Sequence, residues 1–481
     1  MKKEWEKQID SLLEAYHPEM IEKLRELIRI KSVYGPAEEN APFGVGPRQA
    51  FDFAMRLGEE KEFECVNFDY RAGEINFGQG EEAAGVISHM DVVPEGDGWT
   101  HDPYGGEIED GVIYGRGAVD DKGCFIAAFY ACLALKESGV PLKRQIKHII
   151  GTNEELGDFP CICYYKDHVE KMPVCGIVPD ARFPAVFAEK GFLNFSFVKN
   201  LSVEETDSRL PVLTHFTGGE ALNVVMPKAE AVFEGSAEQL GKIRRAAESL
   251  LENSGFSLSE TGNRLTLTIE GKSAHASSPE IGVNAGALML QVLRDIDFYP
   301  ESLCRSLHRL AEQIAFDTDG SGLGISFEDA SGALTNNLGI IRLDENSFSA
   351  GMNIRYPVSQ QVEELEKKLG KAAEDAGCEC QILMRNPHFY VDPDGSLIKR
   401  LVKIYQEMTG DAESKPIAHG SGSYARILEN FIPYGPSIPG EELCFHKQDE
   451  HISCERLLML SRIYARALYV MATEDLVEES K

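Results

Sequence analysis

Apolar side chains recur at helical spacing near the start of the chain (Ile9, Leu12, Leu13, then Ile21, Leu24, Leu27, Ile28). His17-Pro18 interrupts the pattern, and a proline removes an amide donor and crowds the preceding turn, so two consecutive helices are expected over residues 6–31. Residues 85–88 and 146–151 are short apolar runs that stop at polar groups, His89-Met90-Asp91 and Asn153-Glu154-Glu155. Such runs predict strands buried on both faces. Between them, the alanine-rich residues 124–138 have helical length. Strand, helix and strand in this order predict a β-α-β crossover in a mostly parallel sheet. Ligands bind such sheets beyond the carboxyl ends of the strands, where these histidine and acidic residues fall.

The texture changes after about Lys190. Residues 229–233 and 264–270 alternate as half-buried strands do, and residues 236–253 are helical. Residues 348–356 as strand and 362–376 as helix repeat the scheme. From Asp392 the helical pattern returns (Leu397, Leu401, Ile404, Tyr405). A glycine-, serine- and proline-rich loop follows, then a last amphipathic helix over residues 453–471. The expected organisation is an α/β domain formed by residues 1–188 and 387–481, interrupted by an α+β insertion over residues 189–386. A chain of 481 residues exceeds what one hydrophobic core organises, which agrees with that division.

Charge narrows the partners. Against 48 basic side chains stand 78 acidic ones, a formal balance of −30, which argues against nucleic acid or an anionic membrane as main partner. The N-terminal segment runs into a charged amphipathic pattern with no secretory signal, and no apolar stretch reaches membrane-spanning length. The 11 cysteines are scattered without a repeated Cys-x-x-Cys framework. A reducing, cytoplasmic location is therefore expected.

The candidate chemistry is dispersed: His89-x-Asp91, Asp120-Asp121, Glu154-Glu155, Asp180 and His446 fall where expected strands end or loops begin. A single histidine reads as surface or satisfied core, and a pair of acids as a solvated face. Their placement at strand ends is what solvation does not require. Divalent metals such as zinc take imidazole nitrogens and carboxylate oxygens, and two ions can share a bridging carboxylate while polarising one water. Asp91, two residues after His89, suits acceptance of the proton on the second ring nitrogen. Of two adjacent glutamates, one can bind metal while its neighbour handles protons.

These residues stand in motifs: Ser88-His89-Met90-Asp91-Val92-Val93-Pro94, Gly115-Arg116-Gly117-Ala118-Val119-Asp120-Asp121-Lys122-Gly123, Gly151-Thr152-Asn153-Glu154-Glu155 and Val178-Pro179-Asp180-Ala181. Further on come Gly271-Lys272-Ser273-Ala274-His275-Ala276, Asn353-Ile354-Arg355-Tyr356-Pro357 and Gly422-Ser423-Tyr424-Ala425-Arg426. In order and separation they resemble the zinc-dependent dipeptidases of the M20 metallopeptidase family, most closely the bacterial dipeptidase V group. The resemblance implies a mostly parallel-sheet di-zinc exopeptidase domain with an inserted two-lobed α+β lid. It implies that Asp120 bridges two metal ions, with His89 and Asp180 at one and Glu155 and His446 at the other. Glu154 would be the general base, Asp91 the partner of His89, and the Asp120-Asp121 peptide cis. In the insertion, His275 would stabilise the oxyanion and Arg355 would grip the substrate carboxylate. Asn223, Ser421 and Gly422 would lie against the substrate.

The expected reaction is hydrolysis of dipeptides with free amino and carboxyl termini. Removal of acyl groups from amino acids, or trimming of peptide carboxyl ends, is the alternative within the family. Zinc is the expected metal, with manganese or cobalt open. Relatives with a lid of about half this length form dimers, so an insertion with two α+β halves implies a monomer with a self-sufficient site. The loop His419-Gly420-Ser421-Gly422-Ser423 departs from the family's run of glycines, and its side chains bear on the pocket. Near the C-terminus, His446 is the expected ligand, ahead of His451 and the Cys444 thiol. No Gly-x-Ser-x-Gly elbow and no phosphate-cradling loop is present, which argues against a serine hydrolase or a nucleotide site.

Overall fold

Pro18 lies inside a single helix, Glu4–Ile28, not between two. The computed structural model describes residues 3–202, 209–251, 254–420, 422–441 and 443–477, and in it Ile9 and Leu13 before the proline and Met20, Leu24 and Leu27 after it are fully buried. One apolar face therefore runs through the proline. Each such side chain contributes about 1.5–3 kcal/mol on burial, against about 3 kcal/mol for an internal proline, so tertiary contact wins over local propensity.

The chain separates into two units. The first takes the chain up to Ala188, then Phe389–Ile417 and the chain from Gly422; the second takes Glu189–His388 and a short return beginning at Ala418. That return carries no mark in the hydrophobic pattern.

The first unit is built on a six-stranded sheet. Its spatial order is Glu64–Phe68, Ala72–Phe77, Gln145–Gly151, Ala83–His89, Cys175–Val178 and Phe431–Pro433. The last four run parallel, and the first two pair antiparallel. Two strands supply the expected buried runs, and the register sets His89 opposite Gly151, so both polar segments leave the sheet at the same edge. The crossover helix Lys122–Ser138 is buried over 14 of its 17 residues, as an alanine-rich helix between sheet and outer helices must be. The helices Glu4–Ile28 and Cys454–Thr473 pack on it. Ser453 caps the last helix, its hydroxyl accepting the Arg456 amide at 3.0 Å. The edge strand arrives from beyond the insertion, and Gly176 leaves room for its Phe431: a Cβ there would stand 2.3 Å from the ring.

The second unit is an eight-stranded antiparallel sheet. Gly255–Thr261, Arg264–Glu270, Lys228–Glu234 and Val212–Gly218 form one half, and Thr335–Leu343, Ser347–Tyr356, Gly191–Asn200 and Glu379–Asn386 form the other. The halves join where Val212–Gly218 pairs with Thr335–Leu343. Helices Ala237–Leu250, Ala285–Arg294, Glu301–Ile314 and Val362–Asp375 complete the unit, which has its own apolar core. The first of these is opened by a capping box between Ser236 and Gln239. Residues 252 and 253, expected to extend it, lie outside the described residues.

Candidate metal centre

The candidate metal ligands collect at the carboxyl edge of the parallel strands, all within the first unit. His89 ends its strand with its amide donating to Asp121 Oδ2 at 2.9 Å. Its ring Nδ1 donates to the carbonyl oxygen of Asp91 at 2.9 Å. A carbonyl can only accept, so the proton of the neutral imidazole sits on Nδ1 and the Nε2 lone pair faces outward. That lone pair lies 3.0 Å from Asp120 Oδ1 and 4.0 Å from Asp180 Oδ2. The other oxygen of Asp120, Oδ2, lies 3.0 Å from His446 Nε2, which is also 3.0 Å from Glu155 Oε2. One carboxylate thus stands between two imidazoles, one oxygen toward each.

Asp91 does more with its main chain and less with its carboxylate toward His89 than the spacing suggests. The carboxylate is 3.4 Å from His89 Nδ1. Its oxygens instead accept the amides of Glu154, at 3.0 and 2.9 Å, and of Glu155, at 3.1 Å. Two amides presented by one turn outcompete a single ring nitrogen. Glu155 is held further by the amide of Val93, which donates to its Oε1 at 3.2 Å.

The donor set is electrostatically unbalanced without a cation. His89, Asp120 and Glu155 form one group of mutually close donor atoms, and His89, Glu154 and Asp180 form another, each within 4.8 Å. Burial, reinforced by the neighbouring carboxylates, pushes the Glu154 and Asp180 carboxyls well above the usual range, and Glu155 upward. For Asp120 burial acts in the same sense, but the two histidines override it and hold the carboxyl low. Burial disfavours the charged ring of His446, yet Glu155 and Asp120 push it up to about 12. Nitrogen and oxygen held 3.0 Å apart need positive charge between them, which either a ring proton or a bound cation supplies. Across a tetrahedral zinc, nitrogen and oxygen ligands stand about 3.4 Å apart, so the spacing fits divalent ions after small adjustment.

Sequence reasoning passed over Glu450. It is fully buried, and its carboxylate accepts from the Arg116 guanidinium at 2.7 Å and from the amides of Gly117, Val119 and Asp120 at 3.1, 2.9 and 3.0 Å. Tyr424 is also buried, edge-on to His89 with ring centroids 6.4 Å apart, its hydroxyl 3.1 Å from Cys161 Sγ. The Cys444 thiol donates to the carbonyl of His451 at 3.4 Å, and the His451 ring donates to the carbonyl of Asp449 at 2.7 Å.

His275, Arg355 and Asn223 belong to the second unit. The His275 Nδ1 accepts the Ser277 amide at 3.1 Å and lies 2.8 Å from the Ser277 hydroxyl, which places the neutral ring's proton on Nε2. Asn223 is exposed, and its carbonyl accepts the amide of Ala276 at 2.9 Å, so its main chain is tied beside His275. Arg355 is buried in its strand, its Nε donating to Asn353 Oδ1 at 3.0 Å and its guanidinium 4.8 Å from the Phe192 ring centroid. Gly422 belongs to the first unit, where a Cβ would meet the Arg426 guanidinium at 2.1 Å. Ser421 lies outside the described residues.

Residues 85–470 match the family described as Peptidase family M20/M25/M40. The chain is 37% identical over 462 residues to "Putative dipeptidase YtjP" of Bacillus subtilis (strain 168), covering 94% of this chain and 97% of that one. To the "Putative dipeptidase" of Staphylococcus epidermidis (strain ATCC 12228 / FDA PCI 1200) it is 35% identical over 469 residues, covering 96% and 98%. In fold it is similar to human carnosine dipeptidase 1, with a TM-score of 0.60 at 15% identity, covering 98% and 100% of the two chains. The aminoacylhistidine dipeptidase from Vibrio alginolyticus gives 0.53 at 14% identity, covering 94% and 97%. Among the described residues no helix is long and apolar enough to cross a membrane.

Proposed function

The chain belongs to peptidase family M20/M25/M40, a family of peptide-bond hydrolases, and on that premise we propose that it is a two-metal dipeptidase cleaving short peptides with free amino and carboxyl termini. The observation that carries the reading is the Asp120 carboxylate, whose two oxygens each lie 3.0 Å from the Nε2 of a different histidine. Two divalent ions, with zinc the best match to this nitrogen and oxygen set and manganese or cobalt compatible, would be held by His89, Asp120 and Asp180 and by His446, Asp120 and Glu155. Bound there, such ions supply Lewis acidity and make a water acidic enough to attack at neutral pH.

The chain's own groups do the rest. Glu154, held by its amide to Asp91, takes a proton from the attacking water as its oxygen adds to the peptide carbonyl carbon. The His275 Nε2–H donates to the oxyanion that forms, an electrostatic role worth several kcal/mol in comparable hydrolases. Glu154 then returns the proton to the leaving nitrogen, and the C–N bond breaks to give a free acid and a free amine. Arg355, oriented by Asn353, supplies a planar fork for the substrate's terminal carboxylate. Asn223, Ser421 and Gly422 complete the substrate surface in this reading.

The dipeptidase names of the Bacillus and Staphylococcus relatives support the substrate size. The two-halved sheet of the insertion supports a monomer, and eleven unpaired cysteines support a cytoplasmic location. The test is hydrolysis of free dipeptides, N-acetyl amino acids and a tripeptide by zinc-loaded protein, with and without chelator. Chelator-sensitive cleavage confined to dipeptides is expected. Preference for acetyl amino acids would turn the reading to deacylation.

A further inference from the structure

Four donors converge on the Glu450 carboxylate: one guanidinium and three amides from a four-residue stretch that ends at Asp120. Its main chain joins the same loop, the Gly115 amide donating to the Glu450 carbonyl at 2.8 Å. Glu450 is also four residues from His446, whose ring faces Asp120. A single buried side chain therefore clips the segment carrying Asp120 to the segment carrying His446, although the two are more than three hundred residues apart in sequence.

We propose that Glu450 is the positioning residue that sets Asp120 against His446 and so fixes the affinity of the metal position on the His446 side; the proposal rests on the two-metal reading. A buried Arg–Glu pair serving stability alone needs only its partner, and apolar residues of like volume do as well. Here the carboxylate additionally receives amides from both sides of Ala118, the arrangement that fixes a backbone rather than neutralises a charge. The amides of Val119 and Asp120 share Oε1, so the peptide unit preceding the Asp120 side chain has one direction open to it. Arg116 is held in turn under the carbonyls of Pro94 and Glu95, 3.4 and 3.3 Å away, which ties the clip to the segment that follows His89.

Glu450→Gln isolates the role. Glutamine keeps one acceptor oxygen but turns an NH2 group toward donors, so part of the amide set loses its acceptor while volume is unchanged. Stepwise zinc binding, read by competition with a coloured chelator, is expected to show one equivalent weakened about 10–100-fold and the other within about threefold of the parent. In steady-state assays kcat falls while KM for a dipeptide stays within about twofold. Glu450→Asp keeps both acceptor oxygens on a shorter arm and should recover part of the lost affinity; it also carries the test if the glutamine variant does not fold. Wild-type affinity for both equivalents in a folded variant, or equal weakening of both, overturns the proposal. Failure of the unaltered protein to bind two ions strikes instead at the two-metal reading.

Discussion

Both carboxylate oxygens of Asp91 accept the main-chain amide of Glu154, at 3.0 and 2.9 Å. Asp91, two residues beyond the strand that ends in His89, therefore fixes the turn after the neighbouring strand, and with it the direction of the Glu154 side chain. Asp91→Ala removes the acceptor for two buried amides. Turnover is expected to fall about 10–100-fold with both metals retained, a combination that steady-state kinetics and metal analysis on the same preparation would detect. Loss of metal in step with activity would assign Asp91 to ion binding instead.

Glu154→Gln keeps the shape and the amide contact to Asp91 but cannot take a proton. Turnover should drop about 10²–10⁴-fold, while calorimetric metal binding stays near that of the parent. Activity surviving at a tenth or more of the parent value would move the base to another residue.

Arg355→Lys preserves charge and loses the fork. Its kcat/KM for a free dipeptide should fall at least about tenfold relative to the same dipeptide as its carboxyl-terminal amide. Equal losses on the two substrates would leave Arg355 as a strand residue held by Asn353 and Phe192.

His148 is fully buried beneath the site, 3.1 Å from the Ser88 hydroxyl, and burial lowers its imidazole to about 3. Between about pH 6.5 and 3 the unfolded chain binds a proton there and the folded chain does not, so stability rises with pH across that window and is lost on acidification. From pH 7 to pH 5 the group alone removes about 2 kcal/mol. Denaturant unfolding at the two pH values should show a smaller difference for His148→Gln than for the parent, and identical differences would dismiss the group.

The strands ending at His89 and Gly151 could be read from their apolar runs because burial on both faces leaves little choice of residue. The histidine and carboxylates beyond them were recognisable by position. Glu450 was not, since an acid in Lys447-Gln448-Asp449-Glu450 looks like a solvated run, and its burial is created by a loop from the far end of the sequence. Pro18 misleads for the opposite reason: a local penalty is visible in sequence, whereas the apolar face that overrides it appears only when Leu13 and Met20 are buried in one core. The main-chain acceptor for His89 was equally hidden, because spacing alone does not distinguish an aspartate's carbonyl from its carboxylate.

The insertion also imposes a timetable. His89, Asp120, Glu154, Glu155 and Asp180 all precede Glu189, whereas His446, Glu450 and the edge strand Phe431–Pro433 follow the inserted unit. On the ribosome the intervening unit, one nearly continuous stretch with its own core, can fold first, while the six-stranded sheet of the other unit waits for its last strand. The nascent chain thus carries five of these groups before the insertion is made, but His446 and Glu450 only after it. In the two-metal reading, peptide hydrolysis therefore waits until His446 has been made.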